Sequence, residues 1–134
     1  MESIYKILEE NRGKVIYFDF WATTCPPCLA EMEPLKKLRS QYSTKDLIIY
    51  SICSGGNDTK KQWELCLDKY SMKNHDIECV YAADYIGLEN YQKITKQFKI
   101  NRLPYYILIN RKGQIIDYGT AARPSNPNLL LRIE

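Results

Sequence analysis

Residues 15–38 constrain this chain more than any other stretch, because they set two closely spaced thiols between a strand and a helix. They read Val-Ile-Tyr-Phe-Asp-Phe-Trp-Ala-Thr-Thr-Cys-Pro-Pro-Cys and then Leu-Ala-Glu-Met-Glu-Pro-Leu-Lys-Lys-Leu. The run 15–21 is β-branched, aliphatic and aromatic at both alternating positions, as in a strand covered on both faces inside a parallel sheet. Its one charge, Asp19, stands out against that background. Beyond the turn, Leu29, Met32, Leu35 and Leu38 recur on one helical face and predict a helix that ends near Tyr42.

Disulfide exchange needs a thiolate, and the free amides and dipole of a helix N-terminus favour one. Cys25 stands at the predicted cap and is the candidate nucleophile. Cys28, one turn in and more buried, is within reach of a disulfide with it and is the candidate resolving thiol. A buried carboxylate on the preceding strand can take the proton of Cys28, with its own pKa raised by desolvation, and Asp19 is placed for that. A Cys-x-x-Cys also serves as half of a zinc site. That use needs a second ligand pair, whereas Cys53, Cys66, Cys79 and the single His75 are scattered, so no metal is expected.

The remaining chain alternates strand and helix signals. A short helix is expected over residues 3–11, capped by Ser3 and stopped by Gly13. A second buried strand is expected at 46–54 with a turn at 54–57, then a helix from residue 58 or 59 to about 70 and a strand at 77–82. A helix at 88–98 leads to Leu103 and Pro104. Two antiparallel strands at 104–109 and 114–118 flank a turn at 110–113, and a last helix follows Pro124 and Pro127. Strand, redox helix and strand compose a right-handed βαβ unit.

At 134 residues and 45% hydrophobic, the chain is read as one domain over 1–134. The net charge of +3 is spread without a basic run, so no nucleic acid is expected as a partner. The longest apolar runs are of strand length, so contact with a membrane would come only through an anchor outside this sequence. The eleven tyrosines are scattered and are read as core packing rather than a stacking platform.

The run Asp-Phe-Trp-Ala-x-x-Cys-x-Pro-Cys at 19–28 resembles the active-site signature of thioredoxins. Together with Glu31, Met32, Leu35 and Leu38, it is similar to the TlpA/ResA-type branch of bacterial thiol-disulfide oxidoreductases. In that family a buried Asp lies six residues before the first cysteine, and Leu103-Pro104 matches the cis-proline that faces the thiols. The resemblance implies an α/β thioredoxin fold, a central mixed β-sheet flanked by helices, with an extra helix-strand insert at about 57–84. It implies reduction of protein disulfides by dithiol exchange: Cys25 attacks, Cys28 resolves and Asp19 handles the proton. Leu103 and Pro104 position the substrate, and Trp21, Pro26 and Pro27 contribute to substrate binding. The partners implied are a disulfide-containing protein and an upstream thiol donor; no cofactor is needed, and a monomer is the default for the fold. The compartment implied is the periplasm or cell envelope for a mature domain cut from a precursor, and the cytoplasm otherwise.

Three departures from the family pattern accompany the match. Thr24 replaces the usual aromatic residue before the first cysteine, the helix-kinking proline is Pro34, one position late, and no lysine stands on strand 47–54 to pair with Asp19. Pro26 and Pro27 both lack an amide hydrogen, which removes two donors that could solvate the Cys25 thiolate. That favours a reductant, with a potential nearer about −270 than about −120 mV. A peroxiredoxin-like site is disfavoured because Phe18 occupies the position where that chemistry needs a proline. A redox-inert or metal-handling binding module is the alternative from another class.

Overall fold

The computed structural model describes residues 4–54 and 59–133. The Ser3 cap, the turn residues 55–57 and a helix start at Asp58 lie outside them. Elements follow in the order α1 (Ile4–Glu10), β1 (Val15–Trp21), α2 (Pro26–Ala30), α3 (Met32–Ser40), β2 (Leu47–Cys53), α4 (Lys60–Lys69) and β3 (Glu78–Tyr81). They continue with α5 (Ala82–Tyr85), α6 (Leu88–Gln97), β4 (Tyr105–Ile109), β5 (Ile115–Gly119), a 3-10 turn (Thr120–Ala122) and α7 (Pro127–Ile133).

The five strands form one mixed sheet in the order β3-β2-β1-β4-β5. β1 pairs in parallel with β2, and β2 with β3, while β4 runs antiparallel to both β1 and β5. β1 is therefore central, and every one of its residues is buried, as its composition requires. This is the thioredoxin-type α/β architecture expected from the sequence, and α4 and β3 occupy the stretch read there as a helix-strand insert.

The alternation along β1 divides the core into two layers. Ile16, Phe18 and Phe20 pack with Ile52, Ile107 and Ile109 against α1, α5 and α6. Tyr17 and Trp21 face the opposite layer, with Leu47, Ile49 and Leu108 under α2, α3, α4 and α7. At the lower edge of that layer the buried Arg39 donates to the carbonyls of Leu47 and Tyr42, tying the end of α3 to the start of β2.

Local chemistry explains the boundaries. The helix expected to run on to about Tyr42 is interrupted at Glu31, so α2 and α3 are separate pieces. Pro34 has no N–H to donate to the carbonyl four residues back, on Ala30, and its ring crowds that carbonyl. The interruption thus falls one turn before the proline. α4 starts with a capping box: Gln62 N–H donates to Thr59 Oγ1 at 3.1 Å, and Thr59 N–H donates to Gln62 Oε1 at 2.8 Å. The β4–β5 turn closes on Asn110, whose Oδ1 accepts from the N–H groups of Lys112 and Gln114, with Gly113 at φ 81°. The helical turn α5 has no counterpart in the sequence expectations, because four residues are too few to carry a periodic signal.

Candidate active site

β1 ends at Trp21, and three residues, Ala22, Thr23 and Thr24, carry the chain to Cys25, the N-cap of α2. Its extended backbone, at φ −113° and ψ 95°, lets its sulfur accept from the N–H of Cys28 at 3.2 Å. Pro26 and Pro27 occupy the first helical positions, so the Cys28 amide is the first in the helix able to donate to that sulfur. Cys25 and Cys28 are joined as a disulfide with α-carbons 5.2 Å apart. Cys25 is half-buried, Cys28 is 3% exposed, and Thr24, Pro26 and Pro27 form an exposed rim. The thiols therefore differ in access as their sequence positions imply.

Beneath this turn, on the same face as Tyr17 and Trp21, β1 carries Asp19, which is 7% exposed. Ser51, its partner across the β1–β2 pairing, donates its hydroxyl to Asp19 Oδ2 at 3.3 Å. Burial pushes the Asp19 carboxyl up to about 7, the Ser51 hydroxyl acts in the opposite direction, and the nearby Glu31 carboxylate adds to the rise. Glu31 sits at the interruption between α2 and α3. Its carboxylate accepts from the Ser125 N–H at 2.9 Å and the Ser125 hydroxyl at 2.7 Å. Tyr106 lies opposite Asp19 on β4 and stacks on Tyr17 with ring centres 5.6 Å apart. The Tyr17 hydroxyl donates to the carbonyl of Ala122. Burial and the Asp19 charge hold both phenols well above their ordinary range.

The bond between Leu103 and Pro104 is cis, immediately before β4. Pro104 is buried, Leu103 is half-buried against both layers, and Thr120 Oγ1 donates to the Pro104 carbonyl at 2.8 Å. Trp21, expected to take part in substrate binding, is 1% exposed. Its ring packs under the disulfide turn in the core layer and does not line the surface, because the alternation that buries Asp19 also buries Trp21. Outside the Cys25–Cys28 disulfide, Cys53 and Cys66 are buried, Cys79 is half-buried and His75 is exposed. Among the described residues no group of three or more His, Cys, Asp or Glu side chains gathers at metal-binding distance. No described helix is long and apolar enough to cross a membrane.

The sequence reading misses Ser51 and Ser125. The first is found only once the register of β1 against β2 is known. The second lies 94 positions from Glu31 and has no local signal.

The Redoxin family matches residues 5–130 of this chain. The chain is 27% identical over 113 residues to the thiol-disulfide oxidoreductase ResA of Halalkalibacterium halodurans, covering 84% of this chain and 57% of that one. It is 31% identical over 110 residues to the thioredoxin-like protein YneN of Bacillus subtilis, covering 82% of this chain and 58% of that protein. The chain thus spans less than two thirds of either curated relative. A crystal structure from Bacteroides vulgatus, provisionally named a thiol-disulfide oxidoreductase, superposes with a TM-score of 0.72 at 28% identity. That match covers 94% of this chain and 80% of that one.

Proposed function

Because this chain belongs to the Redoxin family, we propose that it is a thiol-disulfide oxidoreductase that reduces protein disulfides by dithiol exchange. The observation that carries this reading is the half-exposed Cys25 joined to the buried Cys28 at a helix start, above a buried carboxyl raised to about 7. In the reduced protein the Cys25 thiolate attacks a substrate disulfide. A bond forms between Cys25 and one substrate sulfur, and the other sulfur leaves as a thiolate. Cys28 then gives its proton to Asp19, and its thiolate attacks Cys25. The Cys25–Cys28 bond forms as the mixed disulfide breaks, and the substrate's second thiolate leaves. Two electrons have passed to the substrate, and an upstream thiol donor returns the disulfide to the dithiol state.

The cap geometry supports the reductive direction. With prolines at the first two helical positions, the Cys25 sulfur has fewer amide donors, which favours the disulfide over the dithiolate. The exposed rim of Thr24, Pro26 and Pro27 and the Leu103-Pro104 turn are the surface that a substrate strand would meet, in the manner of β-augmentation. A periplasmic or envelope location belongs to the same proposal and rests on the ResA-type resemblance.

The test is turnover of insulin disulfides with dithiothreitol as donor. Wild type reduces insulin, Cys25→Ser falls to the uncatalysed rate, and Cys28→Ser accumulates a mixed disulfide with the substrate through Cys25. Equal inactivity of all three proteins would overturn the reading in favour of a binding module.

A further inference from the structure

Four residues face one another across adjacent strands: Tyr106 on β4, Asp19 on β1, Ser51 on β2 and Cys79 on β3. Ser51 is the member whose hydroxyl is bonded to Asp19. It is 1% exposed, and its hydroxyl donates to Asp19 Oδ2 at 3.3 Å. Cys79 turns its thiol elsewhere, toward the carbonyl of Met72 at 3.9 Å.

The groups facing Asp19 can be named by element. Glu31 approaches from the interruption between α2 and α3 and opposes ionisation of Asp19. Tyr17 on β1, Tyr106 on β4 and Cys79 on β3 are uncharged at neutral pH, with their own ionisation pushed up by burial and by the Asp19 charge. Cys28 comes from α2 and is in the disulfide. Among the described residues no Lys, Arg or His acts on the Asp19 charge. A buried carboxylate normally needs a compensating partner, and here the partner favouring its charged form is a neutral hydroxyl.

Resting on the dithiol-exchange reading, we propose that Ser51 is the positioning residue for Asp19. It holds Oδ2 through the resolving step and keeps the carboxyl able to release its proton at neutral pH, a task for which no cation is present among the described residues. As Cys28 transfers its proton to Oδ1, the Ser51 hydroxyl stays on Oδ2. The Cys28 electron pair makes the bond to Cys25, the pair of the broken bond leaves with the substrate thiolate, and Asp19 then returns the proton to water. A donor to the charged form lowers the affinity for that proton, so without Ser51 the carboxyl is occupied over more of the pH range and accepts from Cys28 less often.

The experiment compares wild type with Ser51→Ala and Ser51→Thr by two readouts. The first is titration of the Asp19 carboxyl in the oxidised protein by carbon NMR, which needs no turnover. Ser51→Ala is expected to move it upward by about half a unit to one unit, the scale of one ordinary protein hydrogen bond. Ser51→Thr, which keeps the hydroxyl, restores it. The second is the single-turnover release rate of a mixed disulfide against pH. Ser51→Ala slows release about two- to five-fold at pH 7 and converges on wild type well above pH 8, the consequence of the same shift. A rate lowered by one factor at every pH, or a carboxyl titration that does not move, would overturn the proposal. A titration that shifts in a protein that exchanges no disulfides would sustain the Ser51–Asp19 couple and overturn the exchange reading.

Discussion

The two faces of the sheet come from the same strands, yet one is built of aliphatic and aromatic side chains with no buried charge among its described residues and the other holds a buried carboxyl. On the first, Phe18 and Phe20 pack with Tyr50 and Tyr91 at ring distances of 5.8 and 6.3 Å, among isoleucines from β1, β2, β4 and the helices. On the second, the same strand places Tyr17, Asp19 and Trp21 beneath the disulfide helix, and the Asp19 charge raises the ionisation of the Tyr17 and Tyr106 phenols. A period-two strand can therefore be half scaffold and half chemistry, provided that its hydrocarbon half supplies stability to offset the other.

Substitutions on β1 test that division. The largest effect is expected on the hydrocarbon side: Phe20→Ala empties a fully buried ring position and should cost about 3–5 kcal/mol in chemical denaturation. The Asp19 titration should remain where it was. A shift of the carboxyl comparable to that of Ser51→Ala would show that the faces are not independent.

On the polar side the sign reverses. The Asp19 carboxyl titrates at about 7 in the folded chain, against 3.8 for an aspartate free in water. The folded state therefore binds the proton more tightly, and its stabilisation is fully present below about pH 4 and is lost as pH rises through 7. Asp19→Asn should remove that loss, making the variant more stable than wild type at pH 8 by up to roughly 4 kcal/mol while impairing mixed-disulfide release. Urea unfolding at pH 5 and pH 8 measures both limbs, and equal wild-type stability at the two pH values would break the assignment. The smallest effect is expected for Tyr17→Phe, which deletes the hydroxyl bonded to the Ala122 carbonyl and keeps the ring stacked on Tyr106. A cost of about 1 kcal/mol in thermal unfolding is expected.

What is legible in the sequence follows the range of its physical causes. The buried strand 15–21, the Cys25 cap and the β4–β5 turn are set by composition and by residues a few positions apart, and each is readable. The role of Pro34 is readable in kind but not in place, because a proline disrupts the bond to the residue four earlier and not its own position. Trp21 reads as a substrate contact when its proximity to Cys25 outweighs alternation, although alternation from Asp19 alone puts its ring in the core. The partners of the two carboxylates are not legible. Ser51 reaches Asp19 through strand register, and Ser125 reaches Glu31 through the path of the C-terminal segment, neither of which is encoded locally.

The placement of Asp19 also bears on how the strand finds its position during folding. Slipping β1 by one residue against β2 would exchange its two sets of side chains, sending the carboxylate into the phenylalanine and isoleucine layer, away from the Ser51 hydroxyl that serves it. Burying it there without a partner costs several kcal/mol, a penalty that an all-aliphatic strand of equal hydrophobicity would not impose. The one charge in an otherwise uniform segment thus discriminates between registers: the misaligned sheet is rejected by the same group proposed to take a proton in the aligned one.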